Sequence, residues 1–228
     1  MDIVQGSWGK LNKPIVVRTT YYLNTYDEFG STIGPEDNQQ ISVYAQRLSK
    51  VVDSVKSYTG KKKVIIIAHS MGGLVAREYI RNGGKSSVDK LITIGTPNHG
   101  IYADIASNCE SLIGRSEASP ECSDMITGST FLTMLNQQET FDEVEYMTIT
   151  GSAINKPAIV YGIAYYACNS KDGYHDEVVC ASSVPLNGAV NKIIDGTEVS
   201  GTGTFHGDLI HPLKVPKTYE EVVNFLNF

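Results

Sequence analysis

Residues Val64–Ile80, VIIIAHSMGGLVAREYI, determine how the rest of this chain is interpreted. The run begins with four consecutive β-branched residues, Val64–Ile67, which are too few for a helix and apolar on both faces, as is typical of a central parallel strand. From Leu74 onward, apolar residues recur at helical spacing. Ser70 lies between the two segments and is followed by two glycines within three residues. The stretch predicts a strand, a tight turn that carries a serine, and a helix.

The serine is the centre of the pentapeptide Ala68–Gly72, in which small residues stand two positions either side of it. Small residues are needed there because a sharply turning backbone crowds its neighbours. Such a turn points the hydroxyl of Ser70 out above the sheet edge, and the first N–H groups of the next helix face a developing oxyanion. We interpret Ser70 as a nucleophile and the Met71 N–H as an oxyanion donor. The alternative is an ordinary Ser-Gly turn.

Two motifs resemble those of the α/β-hydrolase lipases: AHSMGGLVAR at Ala68–Arg77 and GTPNHG at Gly95–Gly100. Gly128–Asn136 also resembles the region after the serine in that group, whose nearest members are bacterial and archaeal triacylglycerol lipases and GPI-inositol-deacylase-like hydrolases. The resemblance implies an α/β-hydrolase fold, with a mostly parallel sheet, helices on both faces and a small cap. It also implies a serine hydrolase that cleaves carboxylic, acyl-glycerol or lipid-like esters, with the triad in the order Ser, Asp, His.

Periodicity and turn residues predict the other elements of the chain. They are a strand at 14–22, a loop at 26–39, a helix at 41–58 capped by Asp37 or Asn38 and ended by Gly60, strands at 91–95, 144–150 and 190–194 (the last with a possible extension through 197–199), and a final helix from about Pro216. The strand at 64–67, the helix after Ser70 and the strand at 91–95 form a βαβ unit, which implies parallel neighbours and a right-handed crossover.

The acid and the base of the triad are sought after the later strands. Asp176, followed by two valines and a serine pair, resembles the acid of the family; Asp172 competes with it because a glycine follows, and Glu177 is a third candidate. His206 lies in a glycine-rich loop after the last predicted strand, where a histidine can reach the serine, and the residues after it resemble the family's pattern. His211, beside a proline, is the fallback base.

Three further side chains are candidates for the substrate pocket. His69 precedes the predicted nucleophile, and Asn98 and His99 follow the strand at 91–95 at the carboxyl edge, where open α/β sheets place their sites. His99 is a weak candidate for the base, because it precedes any plausible acid in the chain.

We expect residues 1–228 to form a single α/β-hydrolase domain, since the chain is long enough for one sizeable core and short for two. Residues 101–139 carry short, interrupted apolar helical runs between two predicted strands. These runs predict a cap or lid, or else helices that simply cover the sheet. The apolar and aromatic insertion at 153–170 is either a second lid element or packed loop and strand.

Composition excludes several function classes. The formal net charge is −6, and the basic run Lys61–Lys63 is more typical of a solvated loop than of a nucleic-acid site. No segment has the roughly 20 apolar residues of a membrane span. No Cys/His ligand spacing is present, and the acidic stretch 172–177 lacks a ligand framework for a cation, so no metal or cofactor is expected. The expected partner is an ester or lipid substrate, with transient contact at a lipid surface.

The four cysteines fall into two local pairs, Cys109 with Cys122 and Cys168 with Cys180. An even count in loop-like regions predicts two disulfides and an oxidising, secreted or extracytoplasmic location, although the start of the chain does not resemble a signal peptide. The alternative is four reduced thiols.

The resemblance departs from the family at the N-terminus. Hydrolases of this type carry a strand ending in His-Gly before a tryptophan such as Trp8, and the following loop supplies an oxyanion donor; here no His-Gly precedes His99. We therefore expect the chain to begin downstream of that strand. The alternatives to an ester hydrolase are a thioesterase, a deacylase or an acyltransferase with the same serine chemistry, and a non-catalytic hydrolase-like binding domain.

Overall fold

The computed structural model describes residues 15–19, 25–26, 32–33, 38–112, 119–153, 158–160, 163–169, 173–196 and 204–227. In chain order the strands are β1 (Thr25–Tyr26), β2 (Thr32–Ile33), β3 (Val64–His69), β4 (Val88–Ile94), β5 (Glu145–Ser152), β6 (Ala158–Val160), β7 (Ile163–Tyr165) and β8 (Val190–Asp195). The helices are α1 (Ile41–Thr59), α2 (Met71–Arg81), α3 (Ala103–Ser107), α4 (Cys109–Leu112), α5 (Pro120–Met125), α6 (Thr130–Leu135), α7 (Phe205–Asp208) and α8 (Pro216–Leu226).

The centre of the fold is a four-stranded sheet in the order β3-β4-β5-β8, and every neighbouring pair is parallel. Apolar residues cover both of its faces. One core cluster joins β3 and β4 to α1, α2 and the helices between β4 and β5, and the other joins β4, β5 and β8 to α7 and α8. The predicted fold class is confirmed: a mostly parallel sheet with helices on both faces.

The strand before the serine is partly buried on one face and exposed on the other. Within the described residues β3 is the outermost strand of the sheet, and Ile65 and Ile67 are 39% and 52% exposed. The prediction that both faces of this strand are buried is therefore wrong for the face that carries these two side chains. Apolar composition alone does not distinguish a central strand from an outer one.

Helix α1 ends as predicted but begins differently. Gly60 has φ 68° and terminates the helix in the left-handed conformation that glycine adopts without strain. Gln40 is the N-cap residue, and its side chain makes no capping bond. The N–H of Ile41 instead donates to Oδ2 of Asp124 in α5, at 2.8 Å. Neither Asp37 nor Asn38 is the cap, so that prediction is wrong.

The segment between β4 and β5 contains the helices α3 to α6, as its interrupted apolar runs predicted. Ile105, Leu132 and Leu135 from these helices are buried in the core beside α2. The later insertion forms the antiparallel hairpin β6-β7. Disulfides join Cys109 to Cys122 and Cys168 to Cys180, the pairs predicted from the sequence.

The N-terminal part of the chain is described only in pieces. Residues 15–19 have no regular secondary structure, and β1 pairs with β2 in a two-residue antiparallel register, of which all but Thr25 lies in the stretch predicted as a loop. Trp8, the remainder of the predicted strand at 14–22 and the possible extension of β8 through 197–199 lie outside the described residues. None of the described helices combines the length and the apolar character that crossing a membrane requires.

Candidate active site

Ser70 lies on a sharp turn between β3 and α2. Its backbone has φ 54° and ψ −133°, a region that residues other than glycine seldom occupy. Two hydrogen bonds hold this conformation: the Ser70 N–H donates to Ile94 O at 2.9 Å, and the Thr96 hydroxyl donates to Ser70 O at 2.8 Å. The turn therefore combines backbone strain with direct bonds to the end of the neighbouring strand.

Gly73 explains why α2 can approach that strand so closely. A Cβ at this position would lie 2.1 Å from Oγ1 of Thr96, the hydroxyl that holds Ser70. Any larger residue at position 73 would have to push Thr96 away. The sequence motif contains this glycine, but only the fold reveals the side chain that it faces.

Asp176 and His206 form a buried pair. Nδ1 of His206 lies 2.7 Å from Oδ2 of Asp176, whose side chain is about 1% exposed. The other carboxylate oxygen accepts the N–H groups of Val178 and Val179, at 3.1 and 2.6 Å. A carboxylate that accepts from Nδ1 holds the imidazole in the tautomer whose Nε2 is free to accept a proton. The His206 N–H also donates to Asp176 O at 2.8 Å.

The loop that carries Asp176 is fixed at several points. His175 pairs antiparallel with Ala153, just after β5, and with Cys180. The disulfide from Cys180 to Cys168 closes the loop four residues after the acid. Glu177 has φ 78°, and its carboxylate accepts a short hydrogen bond from the N–H of Phe205, the first residue of α7. Asp176 and the helix that carries His206 are thus anchored to each other.

Two glycines make room for the pair. Gly95, with φ 56°, directly follows β4; a Cβ there would lie 2.9 Å from Oδ2 of Asp176 and 3.0 Å from Nδ1 of His206. At Gly151 in β5 a Cβ would lie 2.7 Å from Cβ of Asp176. Sequence reasoning did not assign these positions to the site. The available signal was a glycine at the carboxyl end of each of two adjacent apolar strands.

His69 connects the serine turn to this pair. Its Nε2 lies 2.9 Å from the backbone oxygen of His206, and the two imidazole rings are 4.5 Å apart, tilted by 41°. Burial, together with the nearby His206, lowers the pKa of His69 to about 4. Within the described residues the Ser70 hydroxyl makes no hydrogen bond to His206. Catalytic hydrogen bonds are often long before substrate binds.

Two of the alternative acids and bases, His211 and Glu177, make other contacts. His211 is exposed in the turn after α7, where its N–H donates to Asp208 O. The carboxylate of Glu177 accepts a hydrogen bond from the backbone N–H of Phe205, at the start of α7. Asp172 lies outside the described residues. Of the predicted acids and bases, the structure brings Asp176 and His206 together.

Asn98 is part of a buried polar network. Its side chain is fully buried, donates to Val184 O at 2.6 Å and accepts from Arg77 at 3.2 Å. Arg77 also donates to Asn136, the C-cap residue of α6, at 2.8 Å, and burial lowers the pKa of Arg77 to about 10. These bonds tie α2, the turn after β4 and α6 together. Asn98 therefore stabilises the packing of the turn after β4 against α2 and α6.

His99 is half-buried and faces Glu139, with Nε2 3.3 Å from a carboxylate oxygen. Its backbone N–H donates to Ser183 O at 2.9 Å, and burial lowers the pKa of the His99 imidazole.

Met71, the predicted oxyanion donor, is the first residue of α2, so its N–H is among those that have no partner within the helix. In the described ranges no group of three or more His, Cys, Asp or Glu side chains is arranged to hold a metal ion.

Residues 13–175 match the family model of the class 2 lipases, which is well over half of the chain. The chain belongs to the class 2 lipases. Membership identifies it as a carboxylic ester hydrolase of the α/β-hydrolase fold. The match includes the serine turn, helices α3 to α6 and the residues up to His175, which precedes Asp176.

Solved structures show the same fold as this class 2 lipase. The mature form of Bacillus licheniformis lipase BlEst2 is 20% identical, with a TM-score of 0.56 over 84% of this chain and 80% of that one. The product of the Listeria innocua gene lin2722 is 18% identical, with a TM-score of 0.53 over 86% and 78% of the two chains. The metagenomic carboxyl esterase MGS0156 is 13% identical, with a TM-score of 0.54 over 83% and 63%.

Proposed function

We propose that this class 2 lipase cleaves carboxylic esters through an acyl-enzyme, with Ser70 as nucleophile, His206 as general base and acid, and Asp176 as the residue that orients the histidine. The observation that carries the proposal is the buried bond of 2.7 Å between His206 and Asp176, next to a strained turn that presents Ser70. The chain order Ser, Asp, His is that of the α/β-hydrolases.

The reaction proceeds in two halves. Nε2 of His206 takes the proton of the Ser70 hydroxyl while Oγ attacks the ester carbonyl, and the Met71 N–H donates to the oxyanion that forms. His206 then gives the proton to the departing alcohol, which leaves the acyl group on Ser70. Water, deprotonated by the same histidine, attacks the acyl-enzyme, and the carboxylic acid and the free serine are released.

Asp176 acts through the imidazole. As an acceptor of the Nδ1 proton it fixes the tautomer, and its negative charge stabilises the imidazolium that exists between the two proton transfers. The two backbone N–H groups of Val178 and Val179 on its other oxygen support its ionised form.

The family supports lipid-like or acyl-glycerol esters as the substrate class. The segment from α3 to α6 presents Ile126 and Met134, which are 41% and 47% exposed, as apolar surface for such a substrate. We propose that this segment takes part in the acyl site and in transient contact with a lipid surface. The two disulfides support an extracytoplasmic location, where such bonds persist.

Hydrolysis of a p-nitrophenyl ester tests the assignment of the triad. We expect Ser70→Ala and His206→Asn each to lower kcat by at least about 10³-fold, because each removes a group that acts only in the transition state. His211→Asn is the matched control and should retain near wild-type activity, since His211 is exposed outside the pair. Activity that survives Ser70→Ala, or that disappears in His211→Asn and not in His206→Asn, would overturn the assignment.

A further inference from the structure

His69 directly precedes the proposed nucleophile and contacts the proposed base, whereas the sequence alone predicts for it only a place in the substrate pocket. It is the last residue of β3 and the direct neighbour of Ser70. Its ring reaches across to His206, which follows it by 137 residues in the chain. The backbone of one catalytic candidate is therefore bonded to a side chain next to the other.

We propose that His69 is a positioning residue that holds the His206 backbone, and with it the imidazole, at the right distance from Ser70. This inference rests on the proposed function. It assigns His69 a contact with the base rather than with the substrate.

The bond itself has one chemical direction. A backbone carbonyl only accepts, so Nε2 of His69 must carry the proton and donate it to His206 O, at 2.9 Å. The second contact is the tilted packing of the two rings at 4.5 Å. Together they restrain both the main chain and the side chain of His206.

The other restraints on His206 act from the opposite side. Asp176 binds Nδ1 and accepts the His206 N–H through its backbone oxygen, and Glu177 binds the N–H of Phe205. Without His69, the backbone oxygen of His206 would lose its hydrogen bond to the residue before Ser70, which in the described structure links His206 to the serine turn. The titratable groups that act on His69 are His206 and Asp176.

A neutral His69 suits this role. A second imidazolium 4.5 Å from His206 would oppose the positive charge that the base acquires during the reaction. Burial and His206 keep the pKa of His69 at about 4, so the ring stays a neutral donor at the pH where esterases are assayed. This protonation state is consistent with a fixed support.

Three substitutions at position 69 separate positioning from packing. His69→Gln keeps an amide donor close to the place of Nε2, His69→Leu keeps a comparable volume without a donor, and His69→Ala removes both. Misplacement of a catalytic group by about 1 Å costs on the order of 10²-fold in rate. We expect His69→Leu and His69→Ala to lower kcat by about 10- to 100-fold with KM within about twofold, and His69→Gln to recover most of kcat.

The measurement is steady-state hydrolysis of a p-nitrophenyl ester by each variant of the whole chain, with urea unfolding to check that each variant is folded. His211→Leu is the control for loss of a histidine outside the pair. A change in KM with constant kcat would show substrate contact and overturn the proposal, as would a His69→Leu enzyme that is as active as His69→Gln. Ser70→Ala in the same assay separates the two claims, since its failure to abolish activity would sink the proposed function itself.

Discussion

At the residue scale, Gly95 shows how closely the backbone after β4 approaches the Asp176–His206 pair. It has φ 56°, and a Cβ there would lie within about 3 Å of both Asp176 and His206. Gly60 has a similar φ of 68° but nothing within 4 Å of an added Cβ. The two glycines carry the same backbone requirement and differ only in what they face.

This difference makes a matched test. Gly60→Ala should lower the free energy of unfolding by about 1–2 kcal/mol, because it places alanine in the left-handed region, and Gly95→Ala should lower it by at least as much, because the added methyl group also meets Asp176 and His206. Only Gly95→Ala should lower kcat, by about 10²-fold or more, because the methyl group displaces the Asp176–His206 pair. Urea unfolding and ester hydrolysis measure the two effects. Equal activities in the two variants would mean that Gly95 is not packed against a catalytic pair.

At the scale of elements, the two disulfides close loops of almost equal length but lie in different places. Cys109–Cys122 joins α4 to α5, with a sequence separation of 13, and Cys168–Cys180 closes the segment that carries Asp176, with a separation of 12. A cross-link of this size stabilises a protein by about 3 kcal/mol in the chain-entropy model. The losses of stability on removal should therefore be similar.

The effects on activity should differ. Replacing Cys168 and Cys180 by serine should lower kcat per folded molecule by about tenfold or more, because the acid loses an anchor four residues away. The same change at Cys109 and Cys122 should leave kcat within about threefold. Both double variants are compared with the wild type by ester hydrolysis below their unfolding midpoints. Equal losses of kcat would show that the disulfide at Cys180 does not position Asp176.

Some of these elements could be predicted from the sequence and others could not. α2 and the turn before it could be predicted because periodicity, the serine and the glycines lie within 17 consecutive residues. The first bond of α1 could not, because its acceptor, Asp124, is 83 residues away. Periodicity does not predict the antiparallel pair β1-β2, since two-residue strands leave no periodic signal.

At the scale of the whole molecule, buried neutral histidines should make stability depend on pH. Burial lowers the pKa of His69 to about 4 and lowers that of His99 and His175 as well. Unfolded histidine binds a proton near pH 6.5, so the unfolded state takes up protons first as the pH falls. This contribution to stability is complete above about pH 6.5 and is lost progressively on acidification, down to about pH 4 for His69.

Urea unfolding between pH 7.5 and 4.5 measures this dependence. Each unit of pKa difference corresponds to about 1.4 kcal/mol. The free energy of unfolding of His69→Gln should therefore fall less steeply across this range than that of the wild type. Identical slopes would mean that His69 titrates in the folded protein as it does in the unfolded chain.

The site as a whole was only partly predictable. The local pattern predicts Ser70, and resemblance to a family predicts Asp176 and His206. The rest depends on the tertiary fold, in which β3, β4, β5 and the later loops meet at one edge of the sheet. Only there do Gly95 and Gly151 approach the pair closely and does His69 contact His206. No local sequence pattern indicates these contacts, because the residues are far apart in the chain.

The claim that Ser70 is the activated nucleophile is tested most directly by covalent labelling with a fluorophosphonate probe, followed by peptide mass spectrometry. Attack by Oγ on phosphorus displaces fluoride and leaves a stable adduct on the serine. We expect one label on the wild-type protein, on the peptide that contains Ser70, no label on Ser70→Ala, and labelling slowed by at least about 10²-fold in His206→Asn. A folded wild-type protein that takes no label, or a label that persists in Ser70→Ala, would contradict the assignment.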